Sequence, residues 1–337
     1  MVLEKLIKPK LLEKNFLYAI TIAIMYSCIG IVLGRFIFGA NAGVMSVVFT
    51  SLFLIPALRN LLRAEELDEE KETTFSIQHL IQDNKPLIKA YTGIFAGVFI
   101  TYFLVSSLFP SAGINVFNIL REQLALDPSF AGRASFMLGM FWSILANNWL
   151  VLLVIFILAL LVGDGAIFFV TWNASAWGAI FGYRAFAASQ VSETTLLITS
   201  LTLLAIVIWH TILEGGAYIL AALAGSAISY AVIKRTDELH KYVEYIALAV
   251  IAYLAVAFFM RPFDTATRMI VLIPTALIAL YYTHYAFTNK KHQQVFVYNY
   301  WLLVIAIAVF VLGVLLETFV LANSQTLATI YAQAAMF

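Results

Sequence analysis

Charge is what this sequence has least of. Lys, Arg, Asp and Glu make up 12% of its 337 residues, against ~25% in an ordinary soluble domain. Apolar side chains make up 63%, and the mean hydropathy is +0.93. These values exclude a soluble globular fold and point to a polytopic, all-α transmembrane bundle. Cysteine is almost absent. The single Cys28 cannot close an intramolecular disulfide or build a Cys-based metal site, and it leaves the redox compartment open. No excess of basic charge exists either, with 20 Lys and Arg against 19 Asp and Glu, so a nucleic-acid partner is not expected. Neither a G-x-x-x-x-G-K-[ST] loop nor a convincing G-x-G-x-x-G occurs. The chain is therefore not expected to hydrolyse ATP unaided, and no cofactor is implied. Internal repeats and low-complexity segments are also missing, which removes the inverted-repeat signature of many transporters.

What is there is a succession of long apolar runs. Lys5, Lys8, Lys10 and Lys14 precede the first, Asn15 to Gly34, which reads as an uncleaved anchor rather than a signal peptide because the run is long and no small-x-small site follows. A second run ends at Leu58, and the pair predicts a helical hairpin, 1–58, turned at Gly39-Ala40-Asn41. Residues 59–89 form a charged cytoplasmic insertion, read as short interfacial amphipathic helices or a solvated linker. The expected membrane core, 90–233, holds runs at 90–120, 134–163, 165–183, 194–213 and 215–233, with Pro110 and Gly113 ending the first. The C-terminal unit, 234–337, holds runs at 245–260, 269–289 and 292–316, with an uncharged tail, 318–337, placed on the outer face.

Residues 196–233 are the awkward stretch. As one helix they would reach ~57 Å, well beyond a hydrocarbon core of ~30 Å, and Glu214-Gly215-Gly216 lies at the middle. The expectation is a kinked or broken segment of two shorter pieces making one net crossing. With that parity and a cytoplasmic N-terminus, fourteen of the twenty Lys and Arg fall inside and six outside, as the positive-inside rule requires. The expected topology is nine spans in the plasma membrane with the C-terminus outside.

Ionisable and amide side chains within such spans are costly, so each is a candidate site. Asn147 and Asn148 open one run, Asp164 closes it between two glycines, and Asn173 is central in the next. His210 and Glu214 stand four apart on one helical face. Such a pair can relay a proton, bind a cation or anchor a partner. It falls short of a zinc site, which wants about three protein ligands, and it lacks an evident nucleophile, Thr211 and Ser226 being arbitrary choices. A purely structural role would be to stitch helices through Asn147, Asn148 or Asn173. Gly178 and Gly182, and Ala217, Ala221 and Gly225, provide small faces for close helix approach. The tryptophans and tyrosines read as interfacial belts. His79, His240, His284 and His292 suggest no shared site.

The ordered set ILANN at 144–148, the Gly163–Gly165 break, WNASAWG at 172–178 and WHTILEGGAYILAALAG at 209–225 resembles the stage II sporulation protein M family of bacterial and archaeal multi-pass membrane proteins. The resemblance covers roughly 135–230, and its motif positions fall on Asn147, Asn148, Asn173, His210, Glu214 and Gly225. Trp209 stands where the family often has Pro, and Thr211 where it often has Gly. The resemblance implies a non-catalytic membrane component, since the sporulation members look like scaffolds for peptidoglycan-degrading partners. The expected function is therefore a scaffold or assembly component, in contact with lipid and with protein partners or further copies of itself. The alternative is a transporter or permease subunit built around His210 and Glu214, and an enzyme is not expected.

Overall fold

The computed structural model describes residues 9–39, 42–69, 76–110, 138–163, 166–233 and 293–336, with scattered positions between 248 and 277. The loop expected at 111–133, Asp164, His240, His284 and His292 fall outside the described residues, as does much of the two spans expected at 245–260 and 269–289. Among the described residues the protein is an all-α membrane bundle with no strand. The helices are α1 Pro9–Lys14, α2 Phe16–Phe38, α3 Ala42–Glu69, α4 Ile77–Leu108, α5 Leu138–Val162, α6 Ala166–Val191, α7 Leu196–Ile233, α8 Gln293–Asn323 and α9 Gln325–Met336. Five of them contain stretches long and apolar enough to cross a membrane: α2, α4, α5, α7 and α8.

Local chemistry sets the helix ends. Asn15 caps α2, its side-chain oxygen accepting from the amides of Leu17 at 3.0 Å and Tyr18 at 3.3 Å. Gly39 ends the helix with φ of 54°, a left-handed conformation that glycine adopts without a Cβ penalty. Several buried hydroxyls are satisfied within their own helices. Thr50, Thr101 and Thr211 donate to carbonyls four residues earlier at 2.8 to 2.9 Å, so they need no partner across the bundle.

Glycine contacts reveal the helix directions. Gly30 lies against Ser46 and Thr50 while Gly34 lies against Ala42 and Ser46, so α2 and α3 are antiparallel, as the hairpin requires. Gly93 meets Phe16 and Ala19, and Gly97 meets Ile20 and Ala23, which makes α4 parallel to α2. Gly178 and Gly182 sit on the backbone of Phe99 and Phe103 in the same order, so α6 is parallel to α4. On the other side, Asn148 contacts Glu214 and, further along both helices, Gly163 contacts Ser226, so α5 and α7 are parallel. Residues 196–233 run in this one direction throughout, as a single continuous helix.

Three features differ from expectation. Residues 196–233 form one uninterrupted 38-residue helix rather than two pieces. Gly215 is a packing glycine here, with a Cβ at that position falling 2.9 Å from the Phe95 ring, and a break at this depth would strand backbone groups that lipid cannot satisfy. The polar stretch 59–89 supplies the end of α3, through Glu69, and the start of α4, from Ile77, instead of separate short helices. Finally, α8 continues past 316 to Asn323, and α9 follows it, burying Leu327 and Ile330 and packing on α6. Helix α6 is not among the five helices long and apolar enough to cross, although it lies among the other long helices. It touches α3, α4, α5, α7 and α9, and such a central helix needs small residues for packing more than it needs hydropathy.

Candidate functional site

The four-residue spacing on α7 extends one step beyond the His–Glu pair. His210, Glu214 and Tyr218 are 5%, 2% and 1% exposed, whereas Trp209 beside them is 65% exposed. One face of α7 therefore carries an imidazole, a carboxyl and a phenol into the bundle while the neighbouring face presents apolar bulk outward.

Two other helices meet that face. From α5, Asn148 Nδ2 donates to Glu214 Oε2 at 3.1 Å, and Asn147 Nδ2 donates to Asn148 Oδ1 at 3.2 Å, with Asn147 itself exposed. From α8 comes Glu317, whose carboxyl lies within hydrogen-bonding reach of Glu214. Gly313, one turn before Glu317, makes this approach possible. A Cβ at Gly313 would fall 2.8 Å from Glu214 Cγ and 3.2 Å from its backbone nitrogen, so α8 closes on α7 only because position 313 has no side chain. A chain of polar contacts, Asn147 to Asn148 to Glu214 to Glu317, thus joins α5, α7 and α8.

Aromatic contacts wall the cluster. Trp149 packs on Phe310 with centroids 6.1 Å apart, Trp177 on Tyr218 at 5.9 Å and Phe95 on Trp177 at 5.8 Å. Trp149, Trp172 and Trp177 are accordingly packed against the core, where the sequence had suggested interfacial belts. Within this wall three polar atoms are enclosed without a hydrogen-bond partner among the described residues: Glu214 Oε1, Glu317 Oε2 and His210 Nδ1.

The remaining candidates lie elsewhere. Asn173 donates to the Phe169 carbonyl of its own helix at 2.8 Å and does not join the cluster. Gly225 is a packing position, where a Cβ would fall 2.5 Å from the Phe156 carbonyl oxygen and 2.6 Å from Ala159 Cβ. The two hydroxyls considered as nucleophiles are committed to backbone carbonyls, Thr211 to Val207 at 2.9 Å and Ser226 to Gly163 at 2.9 Å. Among the described residues, no three His, Cys, Asp or Glu side chains come together in a way that could hold a metal ion. A second polar contact closes the outer layer, with the Arg184 guanidinium 3.8 Å above the ring of Tyr331 on α9.

Glu317 is the residue that sequence reading missed. A signal was present: it is the only charged side chain after Lys291, and Gly313 precedes it by one helical turn.

A family model described as Stage II sporulation protein M matches residues 94–263. The match is wider than the motif stretch at 135–230, taking in the C-terminal part of α4 as well as α5, α6 and α7. It contains Asn147, Asn148, Asn173, His210, Glu214 and Gly225, and it stops before α8 and Glu317. No curated protein and no solved structure matches the chain.

Proposed function

We propose that this chain, which belongs to the stage II sporulation protein M family, is a non-catalytic multi-pass protein of the plasma membrane that assembles a membrane-associated complex. The observation carrying this reading is the polar junction of Asn148, Glu214 and Glu317, which ties three helices into one arrangement. Polar contacts of this kind specify how helices pair in a medium where apolar contact alone discriminates poorly. A fixed arrangement gives a partner a constant surface to recognise. Thr211 and Ser226, the hydroxyls considered as nucleophiles, are occupied with backbone carbonyls, which supports a role without nucleophilic chemistry. The proposed orientation has the N-terminus cytoplasmic and the C-terminus outside, on the strength of the charge distribution.

A transport role is the second reading, favoured by the three enclosed polar atoms without partners, because unsatisfied groups at this depth commonly face a water or ion pathway. One experiment separates the two. The tagged full-length chain is purified from its native membrane in mild detergent, and bound proteins are quantified by mass spectrometry. A near-stoichiometric partner, retained by Glu214→Gln, supports assembly. Recovery of the chain alone, or with an ATPase, overturns the assembly reading and leads to transport measurements.

A further inference from the structure

Glu214 and Glu317 pose a hydrogen-bonding problem that their helices do not solve. An ionised carboxylate can only accept. Asn148 supplies one donor, to Glu214 Oε2, and the enclosed Glu214 Oε1 and Glu317 Oε2 receive none from the described residues. The two groups nevertheless lie within hydrogen-bonding reach of each other. Two carboxylates so placed repel, strongly so where the surroundings are apolar.

The groups around them include no described cation in contact. Helix α5 offers Asn147 and Asn148, and α4 offers Phe95 beside Gly215. Helix α7 itself adds the phenol of Tyr218 and, one turn back, the buried His210, whose Nδ1 is also enclosed and unpartnered. The Arg184 guanidinium of α6 is engaged on the ring of Tyr331 from α9. A proton on one carboxyl removes the conflict in a single step: the protonated group becomes a donor and the ionised one accepts.

We propose that Glu214 and Glu317 form a proton-binding site inside the bundle, a carboxyl–carboxylate pair holding one exchangeable proton, with Asn148 fixing the accepting geometry of Glu214. This goes beyond an assembly role, because a bound proton makes the α7–α8 contact responsive to pH. Loss of the proton sets two negative charges against each other across the contact that Gly313 makes close, and it weakens the docking of α8 on α7.

The test is infrared spectroscopy of the reconstituted full-length protein, comparing wild type with Glu214→Gln and Glu317→Gln. The carbonyl stretch of a protonated carboxyl is distinct from carboxylate bands, and the exposed acids cancel in the difference spectra. A glutamine amide can donate as the protonated glutamate does, so each variant keeps the bond without the proton. The expected result is one protonated carboxyl per chain in the wild type at neutral pH. Its band should shift in heavy water, disappear as pH rises, and be absent from both single variants. Thermal unfolding in the same lipid checks that the variants remain folded. If either variant fails to fold, Glu317→Asp in its place should retain the band. A wild type without the band, or a band that survives in Glu317→Gln, overturns the proposal. Sodium-dependent stabilisation of a wild type lacking the band would overturn it too, marking a cation site instead.

Discussion

Placing a methyl group on Gly225 should separate two helices, whereas the same change nine residues earlier should not. In α7, a Cβ at Gly225 would fall 2.5 Å from the Phe156 carbonyl oxygen, 2.6 Å from Ala159 Cβ and 3.0 Å from the Leu160 nitrogen, all on α5. Two of those atoms are backbone and cannot rotate away, so ordinary contact requires α5 and α7 to part by about an ångström. Overpacking of this kind costs ~1–3 kcal/mol. The separation also stretches the 2.9 Å bond from Ser226 to Gly163, worth a further ~1 kcal/mol. At Gly216, a Cβ meets nothing within 4 Å. Both positions lie inside the same helix, so the gain of ~1 kcal/mol in helix propensity on replacing Gly by Ala cancels when the two variants are compared. Gly225→Ala should therefore be less stable than Gly216→Ala by ~2–4 kcal/mol. Reversible unfolding in mixed micelles, followed by tryptophan fluorescence, measures this difference directly. Midpoints corresponding to less than ~0.5 kcal/mol between the variants, the range of an inconsequential substitution, would refute the close α5–α7 contact.

Asn148→Leu removes the only described donor to Glu214 and should destabilise the bundle by ~1–3 kcal/mol, the cost of an orphaned buried acceptor; the same unfolding assay reads it. Gly313→Ala should push α8 off α7, since its Cβ would lie 2.8 Å from Glu214 Cγ. Cross-linking yield between cysteines placed on the two helices should fall. Tyr331→Leu removes the ring under Arg184 and with it ~0.5–2 kcal/mol of cation–π attraction, which should speed proteolysis within α9, while Tyr331→Phe should retain most of the protection. Tyr253→Phe breaks the 3.1 Å bond from Trp149 Nε1 to the Tyr253 hydroxyl and should lower the thermal midpoint by the equivalent of ~0.5–1.5 kcal/mol.

How much of this could be read in advance depends on whether the information is local. The apolar run at 134–163 anticipates α5 to within four residues, and the alternation of charge anticipates the parallel pairs α2 with α4 and α5 with α7, because both depend on the bilayer acting on one segment at a time. The Asn148–Glu214 bond was legible as one of several options, since costly amides in spans seek partners, but the sequence does not say which amide. Asn173, equally polar, turns back on its own helix. The break expected at Gly215 and Gly216 fails for a physical reason: glycine weakens a helix in water, where the freed backbone is solvated, and lipid offers no such alternative.

Glu317 was the hardest residue to see, because its pairing is tertiary and its partner lies 103 residues away. A lone acid near the end of an apolar run looks like the point where a span leaves the membrane, and the apolar run at 292–316 stops just before it. What distinguishes a buried acid from a boundary acid is the residue one turn before it. A boundary acid needs no room on its own helix face, whereas a carboxyl docking on a neighbour needs a gap beside it, and Gly313 is that gap. The glycine and the glutamate are informative only together, and only once α7 has supplied Glu214 to meet them.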